Sequence, residues 1–403
     1  MTAYTDPPKE SFQLSQLIHD TRYRSYTFQF IALVLLLFGL GYLTMNLITN
    51  LRVAGLSISY GFLGQPAGYD INQSLIEYNN QDSHLRASIV GVLNTLLVAF
   101  LGCITATILG VFAGVGRLSK NWLVAKLMSV YVEAFRNVPV LIWILIISTI
   151  VTVMPAPRAY RGETPDAEMF LGIIAFTNRG IYVPKPLWLE GSWVVVTVFV
   201  LSVIGAFAYR AYAKKLLFST GKLLPMGWPT LAILFVPAIL VYFIMGRPIG
   251  VEIPELGGFN FSGGIAMQRP LIALWLALSV YTGAFIAENV RAGIQAINRG
   301  QTEAAASLGL RPGRIMSLVV LPQALRVIIP PVISQFLNLT KNSSLAIAVG
   351  YMDLTGTLGG ITLNQTGRAI ECVLLLMLFY LIISLGISAV MNTYNNRVKL
   401  KER

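Results

Sequence analysis

The chain has few of the residues that usually carry catalysis or bind metals. It contains only two histidines and two cysteines among 403 residues. Cys103 and Cys372 lie inside apolar runs without a second ligand at metal-site spacing, so we expect unreactive thiols. Gly221-Lys222 is followed by Leu223 and lacks the upstream glycine of a phosphate-binding loop. The sequence therefore predicts no metal site, no catalytic triad and no nucleotide site in this chain.

Charged residues are also scarce, at 12% of the chain, while 55% of the residues are hydrophobic. A soluble domain carries about 25% charged residues, which this chain lacks. Its apolar runs are continuous rather than alternating, which predicts an all-α integral membrane protein and not a barrel. About eight transmembrane helices are expected, near 28–49, 88–115, 126–153, 192–213, 229–246, 270–298, 325–350 and 369–391.

The net charge of +12 would suggest nucleic-acid binding in a soluble protein. Here most lysines and arginines fall in alternate loops, on one side of the predicted membrane. The positive-inside rule then places both termini in the cytoplasm and makes a nucleic-acid partner unnecessary. Residues 1–27 become a cytoplasmic arm and 28–49 a retained first span. The outer loops 50–87 and 154–191 show no pattern of a folded domain, and 257–264 is expected to be a glycine-rich cap.

A polar segment at 301–322 interrupts the apolar runs and predicts two short helices around a tight turn. Glu303 is expected in the first turn of the first helix, where a carboxylate favours the helix dipole. Gly309 is suited to ending that helix, Pro312 to beginning the next one and Pro322 to ending it. Two interpretations stay open, namely an ordinary cytoplasmic loop and a surface on which another protein docks.

This segment resembles the EAA loop in the membrane subunits of ABC importers. That loop has Glu-Ala-Ala, then a glycine, then an Ile-x-Leu-Pro ending, with Val319 here in place of the isoleucine. The matching residues are Glu303, Ala304, Ala305, Gly309, Leu321 and Pro322. The stretches YVEAFRNVPVLI and LPQALRVIIPPVISQFLNLTKNSSLA are similar to permeases for polar amino acids. The enlarged layout is similar to the membrane subunit of the general L-amino-acid transporter.

The resemblance implies a type I permease core formed by 88–153 and 270–395, the second part including the loop 299–322. Residues 154–269 would then be an insertion with two extra spans. It also implies a transport subunit that is not an enzyme, in the bacterial cytoplasmic (inner) membrane, moving L-amino acids by alternating access. The coupling helix would contact the ATPase through Glu303, Ala304, Ala305, Gly309 and Leu310.

The resemblance also implies the other subunits of the transporter. A pair of ATP-binding subunits would hold ATP and magnesium, so this chain would bind no cofactor itself. A second permease, expected to be a paralogue, would complete the pore within the membrane lipid. A periplasmic amino-acid-binding protein would deliver the substrate.

Several polar side chains fall inside predicted spans, where ionisable groups are costly and face a partner or a wet cavity. Glu133 and Arg136, and likewise Glu288 and Arg291, stand three residues apart and are expected to share a helix face. Each pair could be a structural ion pair or part of a gate that meets the substrate. The candidates for the substrate pathway or gate are Glu133, Arg136, Glu288, Arg291, Lys341, Asn342 and Ser343.

The Lys341 segment departs from the family, which usually has Lys-Asp-Thr-Ser-Leu, so an amine-binding role does not carry over directly. Arg368 and Glu371 are expected to form an interfacial pair. Pro139 and Pro330-Pro331 are expected to break their helices at depth. The alternative function is an ion-coupled secondary amino-acid transporter that acts without an ATPase. That class would require inverted repeats and intramembrane carboxylates, and the sequence supplies no convincing repeat.

Overall fold

A computed structural model describes residues 18, 21–55, 57–162 and 165–398. The predicted arm at 1–27 lies mostly outside these residues. The chain forms two compact units, residues 1–61 and 62–403. The first contains helix α1 (Thr21–Val53), whose long uninterrupted run of leucine and aromatic residues matches the predicted first span.

The second unit is built around two long parallel helices, α2 (His84–Gly116) and α7 (Arg269–Gln295), whose contacts advance together from Thr105–Trp275 to Arg117–Glu288. Small residues allow their backbones to approach closely. A Cβ atom added to Gly110 would lie 2.6 Å from Cβ of Ile286, and one added to Gly114 would lie 2.6 Å from the carbonyl oxygen of Ala287. These two helices therefore cannot separate or rotate without opening the centre of the core.

The predicted span 126–153 is a broken pair of helices and not one kinked helix. Helix α3 (Trp122–Asn137) and helix α4 (Val140–Thr152) meet at 110°. Val138 is extended, as a residue before proline prefers to be, and Pro139 supplies no N–H to continue the hydrogen-bond ladder. The break expected at Pro139 is thus confirmed and is sharper than a kink.

Two further membrane helices follow, α5 (Ser192–Thr220) and α6 (Gly227–Ile244). The outer loop 154–191, which shows no pattern of a folded domain in the sequence, nevertheless has local structure. This loop contains three short strands, β1 (Ala175–Thr177), β2 (Gly180–Val183) and β3 (Lys185–Trp188). Strand β1 pairs with β2 inside the loop, but β2 and β3 also pair with strands from residues 249–268, far along the sequence, so periodicity within the loop alone gave little signal. Residues 249–268 form β4 (Ile249–Glu252), β5 (Glu255–Gly257), β6 (Asn260–Ser262) and β7 (Ile265–Gln268), of which β4 and β7 pair with the loop strands and β5 and β6 pair with each other.

The strands form a small antiparallel cap with the orders β1-β2-β7, β3-β4 and β5-β6. Tyr182 of β2 faces Phe261 of the β5–β6 hairpin, with the ring centroids 5.3 Å apart. Met267 stands opposite Ile181, on the other face of the sheet, and packs against the helical core. The sheet thus lies between the helices and the hairpin. The segment expected to be a glycine-rich cap is this hairpin and its flanks.

The polar loop leads into the last helices through α8 (Arg299–Ser307) and α9 (Pro312–Ile315). A π-helical turn (Met316–Val320) then joins α9 to α10 (Leu321–Asn342), so the prediction that Pro322 ends a helix was wrong. Pro322 instead lies in the first turn of α10, where its missing N–H is tolerated. Pro330 and Pro331 also lie inside α10, and the break predicted there does not occur.

The chain closes with non-α segments and one more long helix. A 3₁₀ segment (Ser343–Val349), a π-helical segment (Thr355–Thr362) and the short α11 (Leu363–Thr366) lead to α12 (Ala369–Val398). In the part of the chain that the structure describes, seven helices are long and apolar enough to cross a membrane, or eight spans if the broken pair counts as one. The prediction of an all-α membrane fold with about eight spans is confirmed, with the β cap as an addition.

Candidate coupling loop and charge cluster

The loop predicted to contact a partner begins with a capped helix. Asn298 is the N-cap of α8, and its side-chain oxygen accepts a hydrogen bond from the Gly300 N–H at 2.9 Å. The helix thus starts two residues before the predicted segment. Glu303 consequently lies beyond the first turn, and its expected role at the helix dipole was wrong.

The turn after α8 has the geometry that the glycine predicted. Gly309 has φ of +76°, in the left-handed region. Its N–H donates to the carbonyl of Ala306 at 2.9 Å, and the N–H of Leu310 donates to the carbonyl of Ala305 at 3.4 Å. These two bonds form a Schellman motif, which satisfies carbonyls that the helix end would leave unpaired. Pro312 then begins α9, as predicted.

The loop exposes one side of α8 and buries the other. Ala305 is buried against Ile315 and Val320, with Leu310 half-buried beside them. Glu303 and Ala304 are exposed. A groove of about 690 Å³ runs between α8 and the end of α7, lined mainly by apolar side chains. The lining residues are Ile294, Gln295, Ile297, Arg299, Thr302, Ala306, Pro312, Ile315, Met316 and Val320. The predicted coupling residues therefore form one contiguous loop surface, anchored by Ala305.

A cluster of charges lies about two turns before the end of α7 and is centred on Glu288. Its carboxylate accepts hydrogen bonds from Arg117, just after α2, and from Nε of Arg291 at 3.3 Å. Arg136 of α3 reaches the same carboxylate at 3.8 Å and lies over the ring of Phe285 at 5.4 Å. One carboxylate thus joins three helices, and the pair predicted between Glu288 and Arg291 is confirmed.

The other predicted pair does not form within its helix. Glu133 lies 3.9 Å from Arg117, and no ion pair joins Glu133 to Arg136 among the described residues. Each of the two instead pairs with an opposite charge on the α2–α7 pair. Glu133 faces Arg117, and Arg136 faces Glu288. In the sequence alone, Arg117 is one of the charges that set the orientation of the chain in the membrane. The signal for its role as an ion-pair partner is its position at the end of a span, in a chain with two intramembrane carboxylates.

The Lys341 segment lies apart from this cluster. Helix α10 ends at Asn342, and Ser343 opens the 3₁₀ segment with its hydroxyl donating to the carbonyl of Thr340 at 2.7 Å. Ser343 is buried, Asn342 is half-buried and Lys341 is exposed. Within the described residues no hydrogen bond or ion pair joins these three to Glu288. The sequence-predicted pathway residues therefore occupy two separate places.

A polar contact that the sequence analysis missed fixes the segment after α10. Asn94 of α2 is fully buried, and its amide donates to the carbonyls of Gln73 at 2.7 Å and Met352 at 2.8 Å. The neighbouring Thr95 hydroxyl oxygen accepts a hydrogen bond from the Leu354 N–H at 3.1 Å. The hydroxyl of Tyr351 donates to the carbonyl of Asn94 at 3.2 Å. These bonds tie residues 351–354 to α2 and to the loop that precedes it.

Asp353 lies within the segment tied in this way and is fully buried. One of its oxygens accepts the Gly356 N–H at 2.8 Å, and the other accepts the Tyr380 hydroxyl at 3.2 Å. Loss of hydration on burial raises the pKa of Asp353 to about 7, although these two hydrogen bonds act in the opposite direction. The Arg368–Glu371 pair, at 3.3 Å, is confirmed nearby in the sequence.

The chain is similar to known proteins over the part that contains the coupling loop. Residues 200–400, which include the α8–α9 loop and the Glu288–Arg291 pair, match the family model described as the inner membrane component of binding-protein-dependent transport systems. A glutamate/glutamine/aspartate/asparagine transport system permease of Rhodobacter capsulatus is 53% identical, with all of both chains covered. The chain belongs to this family of inner membrane components. It is therefore a multi-pass inner-membrane permease, and the resemblance stated from the EAA-type loop is confirmed.

Other relatives also match the permease over most of its length. A general L-amino acid transport system permease of Rhizobium johnstonii is 42% identical, with 96% of this chain and 95% of the relative covered. A putative amino-acid ABC transporter permease of Escherichia coli is 43% identical, with 94% and 95% covered. A solved amino acid ABC transporter chain is 20% identical with a TM-score of 0.45, covering 78% of this chain and 95% of that chain.

Proposed function

We propose that this permease moves L-amino acids across the cytoplasmic membrane as one subunit of an ATP-driven importer. The observation that carries the proposal is the identity of 53% over the whole chain with a permease named for glutamate, glutamine, aspartate and asparagine. The second relative is named for general L-amino acids, which favours a broad range. The loop geometry supports the coupling part of the proposal, because Glu303 and Ala304 are exposed on a helix held by the turn at Gly309.

In this proposal the α8–α9 loop docks on a separate pair of ATP-binding subunits, which hold ATP and magnesium. A paralogous second permease completes the pore, and a periplasmic amino-acid-binding protein delivers the substrate. The family description supports a binding protein as a partner. Both termini and the loop lie on the cytoplasmic side, in keeping with the distribution of lysine and arginine. Closure of the ATPase pair then pushes α8 and biases a rigid-body change between two access states.

We also propose that the charge cluster and the Lys341 segment lie on the pathway or its gates. Glu133, Arg136, Glu288 and Arg291 belong to one cluster near the coupling end of α7, which suits a gate on that side. Lys341, Asn342 and Ser343 lie where α10 changes to a 3₁₀ segment, and irregular backbone at membrane depth is tolerated where it is buried in protein or lines a cavity. The exposed Lys341 would face the second permease or the substrate path.

The test is uptake of radiolabelled amino acids into proteoliposomes that contain the permease, its partner permease, the ATPase and the binding protein. We expect uptake of glutamate, glutamine, aspartate and asparagine that requires both ATP and the binding protein. The control replaces the phosphate-binding lysine of the ATPase subunit, which should abolish uptake. Uptake that continues without ATP and without the ATPase would instead support the ion-coupled secondary transporter.

A further inference from the structure

Two opposite pairs of charges face each other between α3 and the α2–α7 pair. Glu133 and Arg136 stand one helical turn apart on α3. Opposite them, Glu133 meets Arg117 at 3.9 Å and Arg136 meets Glu288 at 3.8 Å. We call these four residues the charge clasp. Helix α3 contributes one acid and one base, and the α2–α7 pair contributes one base and one acid opposite them. Exchanging the two charges on one side would therefore bring like charges together.

One side of the clasp is fixed. Arg117 and Glu288 are joined directly by a charge-assisted hydrogen bond, and Arg291 holds the second carboxylate oxygen of Glu288. Arg117 has the most buried side chain of the ion pairs in this cluster, at 12% exposed. The helices beneath are locked by close packing at Gly114, where an added Cβ would overlap α7. The Arg117–Glu288 pair therefore moves as part of the α2–α7 body.

The other side is held less firmly. Both contacts of α3 to the clasp lie close to 4 Å, and the side chain of Glu133 is 60% exposed. Ion pairs of this kind are worth little individually and exchange readily with water. Helix α3 is also held by buried Val132, which packs against Ala113 and Ala287, and by the Tyr131 hydroxyl, which donates to the carbonyl of Val280 at 2.6 Å. The two ion pairs are therefore the exchangeable part of a packed contact. The structure thus combines a fixed Arg117–Glu288 pair with two longer ion pairs at the exposed edge of a packed helix.

We propose that Arg117 is a positioning residue that holds α3 on the α2–α7 body while the coupling end of the pathway is closed. It does so by sharing its guanidinium between Glu288, to which it is bound, and Glu133, which it can release. The proposal rests on the proposed transport function and names the residue that controls the gate. Its consequence is that a broken clasp opens this end without the signal from the binding protein, so hydrolysis of ATP becomes separated from transport.

The test reverses the charges on α3 with the double variant Glu133→Arg, Arg136→Glu. Helix α3 keeps its composition and net charge, while like charges now face Arg117 and Glu288. In proteoliposomes we expect basal ATP hydrolysis without binding protein to rise about fivefold and the amino acids moved per ATP to fall by a similar factor, the lower end of typical coupling between sites. If this ratio of amino acids moved per ATP equals that of the unaltered permease, the proposed role of the charge clasp is wrong.

Neutral variants keep the proposal testable if the reversed helix does not assemble. Glu133→Gln with Arg136→Gln removes both contacts of α3 without repulsion, and the ratio should fall in the same direction by a smaller factor. Arg117→Lys should retain most of the coupling, whereas Arg117→Gln should lose it. If Arg117→Gln lowers only the yield of complex and leaves the ratio unchanged, Arg117 is merely structural. Absence of ATP-dependent uptake in the unaltered permease would refute the transport function itself, and is thereby distinguished from failure of the clasp.

Discussion

Replacing Gly309 with valine tests whether the turn after α8 transmits force. Gly309 has φ of +76°, and an added Cβ would meet no atom within 4 Å. The substitution therefore creates no clash, and its cost comes from the backbone alone. A left-handed conformation costs a non-glycine residue roughly 1–2 kcal/mol, and a β-branched side chain belongs at the upper end. Since 1.4 kcal/mol is a factor of ten, the native turn should lose about five- to thirtyfold in relative population.

The same loop supplies a matched control. Gly313 lies in α9, its added Cβ would also meet no atom within 4 Å, and its φ is not positive. Gly313→Val thus adds the same side chain to the same surface without the backbone cost. We expect Gly309→Val to lower binding-protein-stimulated ATP hydrolysis by about five- to thirtyfold, in line with the turn population, while Gly313→Val stays near the unaltered rate.

Membrane insertion, measured by yield in the membrane fraction, should be equal for both variants, because neither substitution touches the packed core. Gly309→Asn should be intermediate, since asparagine tolerates the left-handed region better than valine does. Equal hydrolysis rates for Gly309→Val and Gly313→Val would refute the coupling role of the turn, whatever the absolute rates are.

Three further outcomes follow from packing and burial. Gly114→Leu should lower the thermal unfolding temperature of the purified permease by overpacking the α2–α7 contact, at a cost of about 1–3 kcal/mol, whereas Gly386→Leu, with open space, should not. Asn94→Leu leaves two buried carbonyls without a donor and should speed amide hydrogen exchange at residues 352–357; unchanged exchange would contradict the role of Asn94. Because burial raises the pKa of Asp353 to about 7, its contribution to stability is greatest below about pH 4 and is lost as the pH rises through 7. Unfolding temperature should therefore fall from pH 5 to pH 8, and Asp353→Asn should flatten that slope.

The membrane helices were predictable because each is long and locally encoded. All of the expected spans appear, and only 126–153 changes character, at a proline that the sequence already showed. The turn at Gly309 was predictable for the same reason, since the residues that make a Schellman motif are consecutive. The predicted effects of prolines on helix ends were less accurate. Pro322 does not end a helix because it lies in the first turn of α10, and α10 continues through Pro330 and Pro331.

The remaining features depend on residues far apart in sequence. Strand β2 pairs with β7 across more than one intervening membrane helix, so no pattern within 154–191 could reveal the cap. Asn94 gives no local signal of its bonds to Gln73 and Met352. The charges at Glu133 and Arg136 were correctly singled out as costly, yet their spacing suggested a pair within one helix. Which partner a charge takes is decided by how the helices cross, and the sequence does not contain that crossing in any short window.

Different kinds of contact hold the neighbouring segments at the two ends of the α2–α7 pair, and this difference affects which segment can move first. Toward Arg269, residues 351–354 are held by three buried or half-buried hydrogen bonds to α2 of 2.8, 3.2 and 3.1 Å, each costly to leave unmade. Toward Gln295, α3 is held by the packing of Val132 and the hydrogen bond of Tyr131, and in addition by two long, half-exposed ion pairs that are individually weak. A push delivered through α8 arrives at this second end, because α8 follows α7 after a short connection. The weak contacts should therefore yield first, so that motion begins at α3 while the far end remains fastened. A transporter that opens its ends alternately needs such inequality, since equal fastenings would release together.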